Sequence, residues 1–90
     1  MADIIRGSVT NIVDGDTFDM KVTHVGEKNE VEYNDNERIR IAGIDEPELT
    51  APGGKRSKEH LEGLLKEKEV MCSVQTRDTY GRIVANVKVL

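Results

Sequence analysis

Arg38-Ile39-Arg40-Ile41-Ala42-Gly43-Ile44-Asp45-Glu46-Pro47-Glu48 alternates charged and apolar side chains and then turns acidic. Successive strand side chains point to opposite faces, so Ile39 and Ile41 share one face and the guanidinium groups of Arg38 and Arg40 share the other. One face feeds a core and the other offers positive charge. Pro47 lacks an N–H and biases its predecessor away from helix, which ends regular pairing and leaves Asp45, Glu46 and Glu48 just past the strand. Cations able to grip a phosphate, next to hard oxygen ligands for a divalent metal, are the ingredients of phosphodiester chemistry.

On the N-terminal side, residues 4–13 hold Ile5, Val9, Ile12 and Val13 in a broken alternation that fits a strand bulged near Gly7. Asp14-Gly15 is a strong hairpin signal, because glycine takes positive φ without steric cost. Residues 17–23 then alternate cleanly, with Phe18, Met20 and Val22 against Asp19, Lys21 and Thr23, and the two strands are expected to pair. Residues 26–37 are polar apart from Val31 and Tyr33 and read as a long hairpin connection.

Beyond the acidic loop, Thr50-Ala51-Pro52-Gly53-Gly54 marks a further loop. Over residues 55–69, Leu61, Leu64 and Leu65 at i, i+3 and i+4 predict one amphipathic helix laid on a sheet. Val70, Cys72 and Val74 alternate as a fourth strand, and Ile83, Ala85, Val87 and Val89 as a fifth, joined through Asp78-Thr79-Tyr80-Gly81. Three strands, one helix and two strands predict a mainly β protein with one helix: a five-stranded Greek-key barrel of the oligonucleotide/oligosaccharide-binding (OB) type.

Ninety residues suit one domain over 1–90. Thirteen basic against 17 acidic side chains leave a formal charge of −4, which argues against a protein that holds nucleic acid through a broad basic field. A polyanion must be met locally. The single cysteine, Cys72, excludes an internal disulfide and shares a strand face with Val70 and Val74, so it reads as a buried thiol. His24 and His60 have no companions at zinc-site spacing and read as solvated side chains. No window approaches membrane-span length and the N-terminus lacks the apolar stretch of a signal peptide. The sequence as written implies a cytoplasmic protein, or a secreted or cell-envelope one if an export signal has been removed.

Three separated pieces, Val13-Asp14-Gly15-Asp16-Thr17, the Arg38 stretch through Glu48, and Asp78-Thr79-Tyr80-Gly81-Arg82, together resemble the staphylococcal (micrococcal) nuclease, or thermonuclease, family. The resemblance implies the same barrel. It also implies Ca²⁺ bound by Asp16, Asp45 and the backbone carbonyl of Glu46, with Glu48 as general base, Arg40 and Arg82 as phosphate-gripping arginines, and Tyr80 as a substrate-binding tyrosine. The implied activity is endonucleolytic hydrolysis of DNA and RNA that leaves 3′-phosphate ends. Single-stranded DNA or RNA would be the substrate, with no membrane and no obligate protein partner. Family enzymes carry a larger loop after the glutamate and further helices after the fifth strand, so residues 1–90 are expected to form a nuclease-like domain without those helices. Thr79 stands where the best-known member has a lysine, and Glu46 replaces a neutral side chain.

Residue chemistry agrees with those roles while leaving some of them open. A planar guanidinium makes two parallel hydrogen bonds to phosphate oxygens, which lysine cannot. Asp45 and Glu48 lie three apart in a turning loop, so one can bind metal while the other faces water, and spacing does not say which. Arg38 reads as the solvated face of its strand. A non-catalytic barrel of the same fold, binding nucleic acid or protein, is the alternative function. The presence of Asp16, Arg40, Asp45, Glu48 and Arg82 together favours the enzyme.

Overall fold

The computed structural model describes residues 3–43 and 52–90. Five strands and one helix follow in the order β1 (Asp3–Asp14), β2 (Thr17–Val25), β3 (Asn36–Ile41), α1 (Gly54–Leu65), β4 (Glu69–Arg77) and β5 (Ile83–Val89). The strands close into a barrel in the order β1-β2-β3-β5-β4, with β4 returning to pair with β1. All neighbours are antiparallel except β3 and β5, which run parallel. That is the mainly β OB-type barrel expected from the order of elements.

Closure depends on β1, which pairs with β2 along one edge and β4 along the other. Its register against β2 shifts between Arg6 and Gly7, between Val9 and Asn11, and between Ile12 and Asp14. Each shift coils the strand, so one long segment can serve both sides of a small barrel. Gly7 is required at the first of them: a Cβ there would sit 1.9 Å from the Lys21 carbonyl oxygen and 2.9 Å from the Met20 Cε.

Period-two alternation places the core as anticipated. Ile5, Phe18, Met20, Ile39, Val70, Cys72, Ile83 and Ala85 are fully buried inside the barrel, and Val9, Ile12, Leu61 and Leu65 are nearly so. Burial pushes the Cys72 thiol up to about 12, consistent with an inert packing side chain. His24 and His60 are both exposed.

The helix differs from expectation at its C-terminal end, stopping at Leu65 rather than reaching 69. Lys66 caps it, Glu67 takes a left-handed φ of 61°, and Glu69 already opens β4. Apolar spacing ends with Leu65, so the polar run that follows has no core contact to keep it helical. Leu64, expected on the core face, is exposed, because Leu61 and Leu65 at i and i+4 fill the narrow face turned to the barrel.

The polar connection between β2 and β3 is strapped back onto the start of β1. Asn29 exchanges two side-chain hydrogen bonds with the Ile4 backbone, its Oδ1 accepting from Ile4 N at 2.9 Å and its Nδ2 donating to Ile4 O at 2.8 Å. Asp3 accepts from Glu30 N, Val31 N and the Tyr33 hydroxyl. The Glu30 amide, with these other donors, holds the Asp3 carboxyl below its usual range. Burial together with Asp3 raises Tyr33 to about 12.

Two glycines give opposite outcomes. Gly7→Ala is expected to destabilise the barrel by about 1–3 kcal/mol through overpacking. Gly63→Ala, in the helix with nothing within 4 Å of its added methyl, is expected to stabilise by about 0.5–1 kcal/mol. Urea unfolding of both variants checks this, and equal midpoints would contradict the placement of the β1 bulge.

Candidate active site

The register between β2 and β3 builds the centre of the site. Thr17 lies opposite Arg40, and beyond that last pair Ile41 N donates to the Asp16 carbonyl at 2.8 Å. The backbone thus already sets Asp16 beside Arg40. Its carboxylate is nearly buried, with Oδ1 accepting from the Thr17 hydroxyl at 2.8 Å and Oδ2 3.6 Å from Arg40 Nη2. The latter distance is an ion pair rather than a hydrogen bond.

Asp14 closes the turn from the other side, its Oδ1 accepting from Asp16 N at 3.2 Å. Burial raises the Asp14 carboxyl above its usual range, and the neighbouring Asp16 carboxylate adds to the shift. Two carboxylates at one turn, one of them nearly buried, form an oxygen-rich spot where positive charge is favoured.

The parallel ladder brings in the second arginine. Arg40 lies opposite Val84, and Arg82 stands immediately before the first residue of β5. Asp78 holds the turn that carries Arg82, accepting from Arg82 Nε at 2.7 Å on Oδ2, and from Arg82 N at 2.9 Å and Tyr80 N at 3.0 Å on Oδ1. Burial acts to raise the Asp78 carboxyl, but these hydrogen bonds outweigh it and hold the group below its usual range. The Arg82 guanidinium carbon lies 5.4 Å from the Tyr80 ring centroid, and Tyr80 itself is 84% exposed. The ring presents one face to the cation while the rest of it is open to solvent.

The structure thus sets Asp16 beside Arg40 through the β2–β3 register, and Arg82, with Tyr80 against it, two residues before Val84, the β5 partner of Arg40. The expected Asp45, Glu46 and Glu48 lie outside the described residues. Among the described residues, no three His, Cys, Asp or Glu side chains cluster as a metal set. Arg38 lies on the strand face with Arg40 but makes a two-point ion pair with its cross-strand neighbour Asp19, at 2.8 and 3.2 Å. It braces β2 against β3.

Sequence reading missed three contributors. Thr17 is fully buried and orients the Asp16 carboxylate, a role its place after the Asp-Gly-Asp turn could have signalled. Asp78, four residues before Arg82, carries an equally local signal. Glu37, buried in β3 and paired with Arg77, had none, since its partner is forty residues away in the chain.

A closed OB-type barrel, with Asp16 against Arg40 and Asp78 against Arg82, defines the class to which this fold belongs. The chain belongs to the staphylococcal nuclease homologue family, whose model matches residues 38–90. It is 34% identical to a micrococcal nuclease from Shigella flexneri over 82 residues, covering 91% of this chain and 41% of that one. Protein ParB of Escherichia coli is 34% identical over 83 residues, covering 92% and 41%. An uncharacterized endonuclease of Escherichia coli is 31% identical over 83 residues, covering 92% and 48%. The chain therefore spans less than half the length of these curated relatives. Among the described residues, no helix is long and apolar enough to cross a membrane.

The Asp14 shift fixes the sign of a pH effect. A carboxyl whose folded-state pKa is raised destabilises the fold once ionised, and the penalty disappears as pH falls below both its folded and unfolded pKa values. Asp14→Asn, whose amide oxygen can still accept from Asp16 N, is expected to raise Tm at pH 7. The gain is expected to vanish by about pH 3. Thermal melts across that range provide the check, and a variant less stable than wild type at pH 7 would show that the Asp14 charge is not strained.

Proposed function

We propose that this chain is the catalytic barrel of a Ca²⁺-dependent nuclease that hydrolyses single-stranded DNA or RNA and leaves 3′-phosphate ends. The observation that carries this reading is the shared register of β2, β3 and β5, which sets the nearly buried Asp16 carboxylate 3.6 Å from Arg40 and brings Arg40 beside the entry to β5, where Arg82 stands. Membership of a family that includes a micrococcal nuclease supports it.

Arg40 and Arg82 are the proposed phosphate grip. In-line displacement at phosphorus builds negative charge on the equatorial oxygens, and two guanidiniums with planar donor forks can follow that charge as it develops. Asp16 and Asp78 hold these forks before substrate arrives, which lowers the ordering cost at the moment of reaction. Tyr80, stacked on Arg82 and otherwise exposed, offers an aromatic face for a base or sugar next to the gripped phosphate.

The donor set fits a hard cation. Asp16, with Asp45 and the backbone carbonyl of Glu46, would hold Ca²⁺, and Asp14 adds negative charge at the same turn. When bound, the cation supplies charge neutralisation and polarisation at the phosphoryl oxygens. Glu48 is the proposed base that takes the proton of the attacking water. The carboxylates beside the arginines also explain how a chain with a formal charge of −4 can meet a polyanion: the grip is local and metal-assisted rather than a broad basic field.

Hydrolysis of single-stranded DNA tests the proposal. Activity is expected with Ca²⁺ and not with a chelator, and Glu48→Gln is expected to reduce kcat about 100-fold. Cleavage indifferent to both would dismiss the site. Calcium-dependent binding without cleavage, in both the wild type and Glu48→Gln, would assign the barrel a binding role instead.

A further inference from the structure

Glu37 is a carboxylate only 6% exposed, in a strand whose next inward-facing residue is the fully buried Ile39. Its two oxygens are fully engaged. Oε1 accepts from Arg77 Nη1 at 3.2 Å, and Oε2 accepts from Arg77 Nη2 at 3.1 Å, Asn34 N at 3.0 Å and Asn34 Nδ2 at 3.4 Å. Only Glu37 is buried, the Arg77 side chain being 41% exposed, and an ion pair with one partner in solvent is weak evidence for stability, so what else the pair does becomes the question.

Arg77 gives the answer through a third contact: its Nη1 also donates to the Gly81 carbonyl at 2.8 Å. Gly81 has a left-handed φ of 83° and shares its peptide group with Arg82. The oxygen of that peptide is held by Arg77, and its N–H, belonging to Arg82, donates to Asp78 Oδ1 at 2.9 Å. With both polar ends anchored, the direction in which the Arg82 side chain leaves the backbone is set from two sides.

The ladder explains why an ion pair is needed there. Arg77, Ile83 and Ile39 lie in one row across β4, β5 and β3, and the pairing between β3 and β5 begins at that row. Before it, no described β3–β5 pair joins β3 to the turn that carries Arg82. Arg77 reaches back across the start of β5 to Glu37, three residues ahead of Arg40 on the same strand.

We propose that the Glu37–Arg77 ion pair is a positioning device that sets the Arg82 guanidinium relative to Arg40, by tying the Asp78–Arg82 turn to the strand on which Arg40 stands. It rests on the reading of Arg40 and Arg82 as the phosphate grip. Neither Glu37 nor Arg77 touches substrate in this scheme; both act through the peptide that carries Arg82.

The test compares wild type, Glu37→Gln/Arg77→Met, Arg82→Lys and the combined triple variant, each assayed for single-stranded DNA hydrolysis with Ca²⁺ and for Tm. The double variant removes both charges together, so no buried carboxylate is left unpaired. It is expected to lower kcat about tenfold with KM changed by less than about threefold. In the Arg82→Lys background the same change is expected to cost less than about twofold in kcat, while its effect on Tm stays the same. An equal loss of kcat in both backgrounds, or no loss in either, overturns the proposal. The Arg82 Nε–H resonance supplies a readout that does not depend on activity. It is expected to shift or broaden in the double variant while that of Arg38, held by Asp19, stays in place. If the wild type proves inactive but this response appears, the positioning link stands and the nuclease reading falls; an unmoved Arg82 resonance overturns the link itself.

Discussion

The double pairing of β3 is the constraint on which the rest of the structure depends. The strand is antiparallel to β2 on one edge and parallel to β5 on the other, and both registers are fixed by the same side chains. Phe18, Ile39 and Ile83 form one row across the three strands and are fully buried. The next row is Thr17, Arg40 and Val84, which strand alternation turns to the opposite face. A one-residue slip would bury Arg40 and expose Ile39, so the hydrophobic row that stabilises the barrel also aims the arginine.

Charge is handled with the same economy of parts. Arg38, Arg40, Arg77 and Arg82 each lie against a carboxylate, respectively Asp19, Asp16, Glu37 and Asp78. Two of these pairs, on Arg38 and Arg77, join strands and turns of the scaffold. The other two orient the arginines proposed to meet a phosphate. Most are partly exposed, where an ion pair contributes little to stability, so their consequence lies in geometry. In a molecule with more acids than bases, these pairings set the direction of each arginine.

Much of the barrel was legible because its signals are local. Period-two alternation located the strands, Gly7 marked the bulge, and the Asp-Gly turn joined β1 to β2. The helix end was misread because Lys66, Glu67 and Lys68 are ordinary helix formers, and only the left-handed turn at Glu67 and the start of pairing at Glu69 end the helix. Proximity of Asp16 to Arg40 follows from a hairpin register and could be anticipated. The approach of Arg82 depends on a parallel pairing between segments more than forty residues apart, which no local pattern encodes; family resemblance supplied that expectation. Glu37 with Arg77, and Asp3 with the 29–33 segment, were invisible for the same reason, since each joins residues brought together only by closure of the barrel.

The central claim is that the β1–β2 turn, the end of β3 and the entry to β5 act as one binding site. Backbone amide shifts, recorded as Ca²⁺ and then a short single-stranded oligonucleotide are added to the Glu48→Gln protein, test it most directly. Asp16, Thr17, Arg40, Ile41 and residues 80–82 are expected to move together on a single saturation curve. Shifts concentrated instead in the cleft of about 550 Å³ between residues 30–33 and β4, which shares none of those residues, would contradict it.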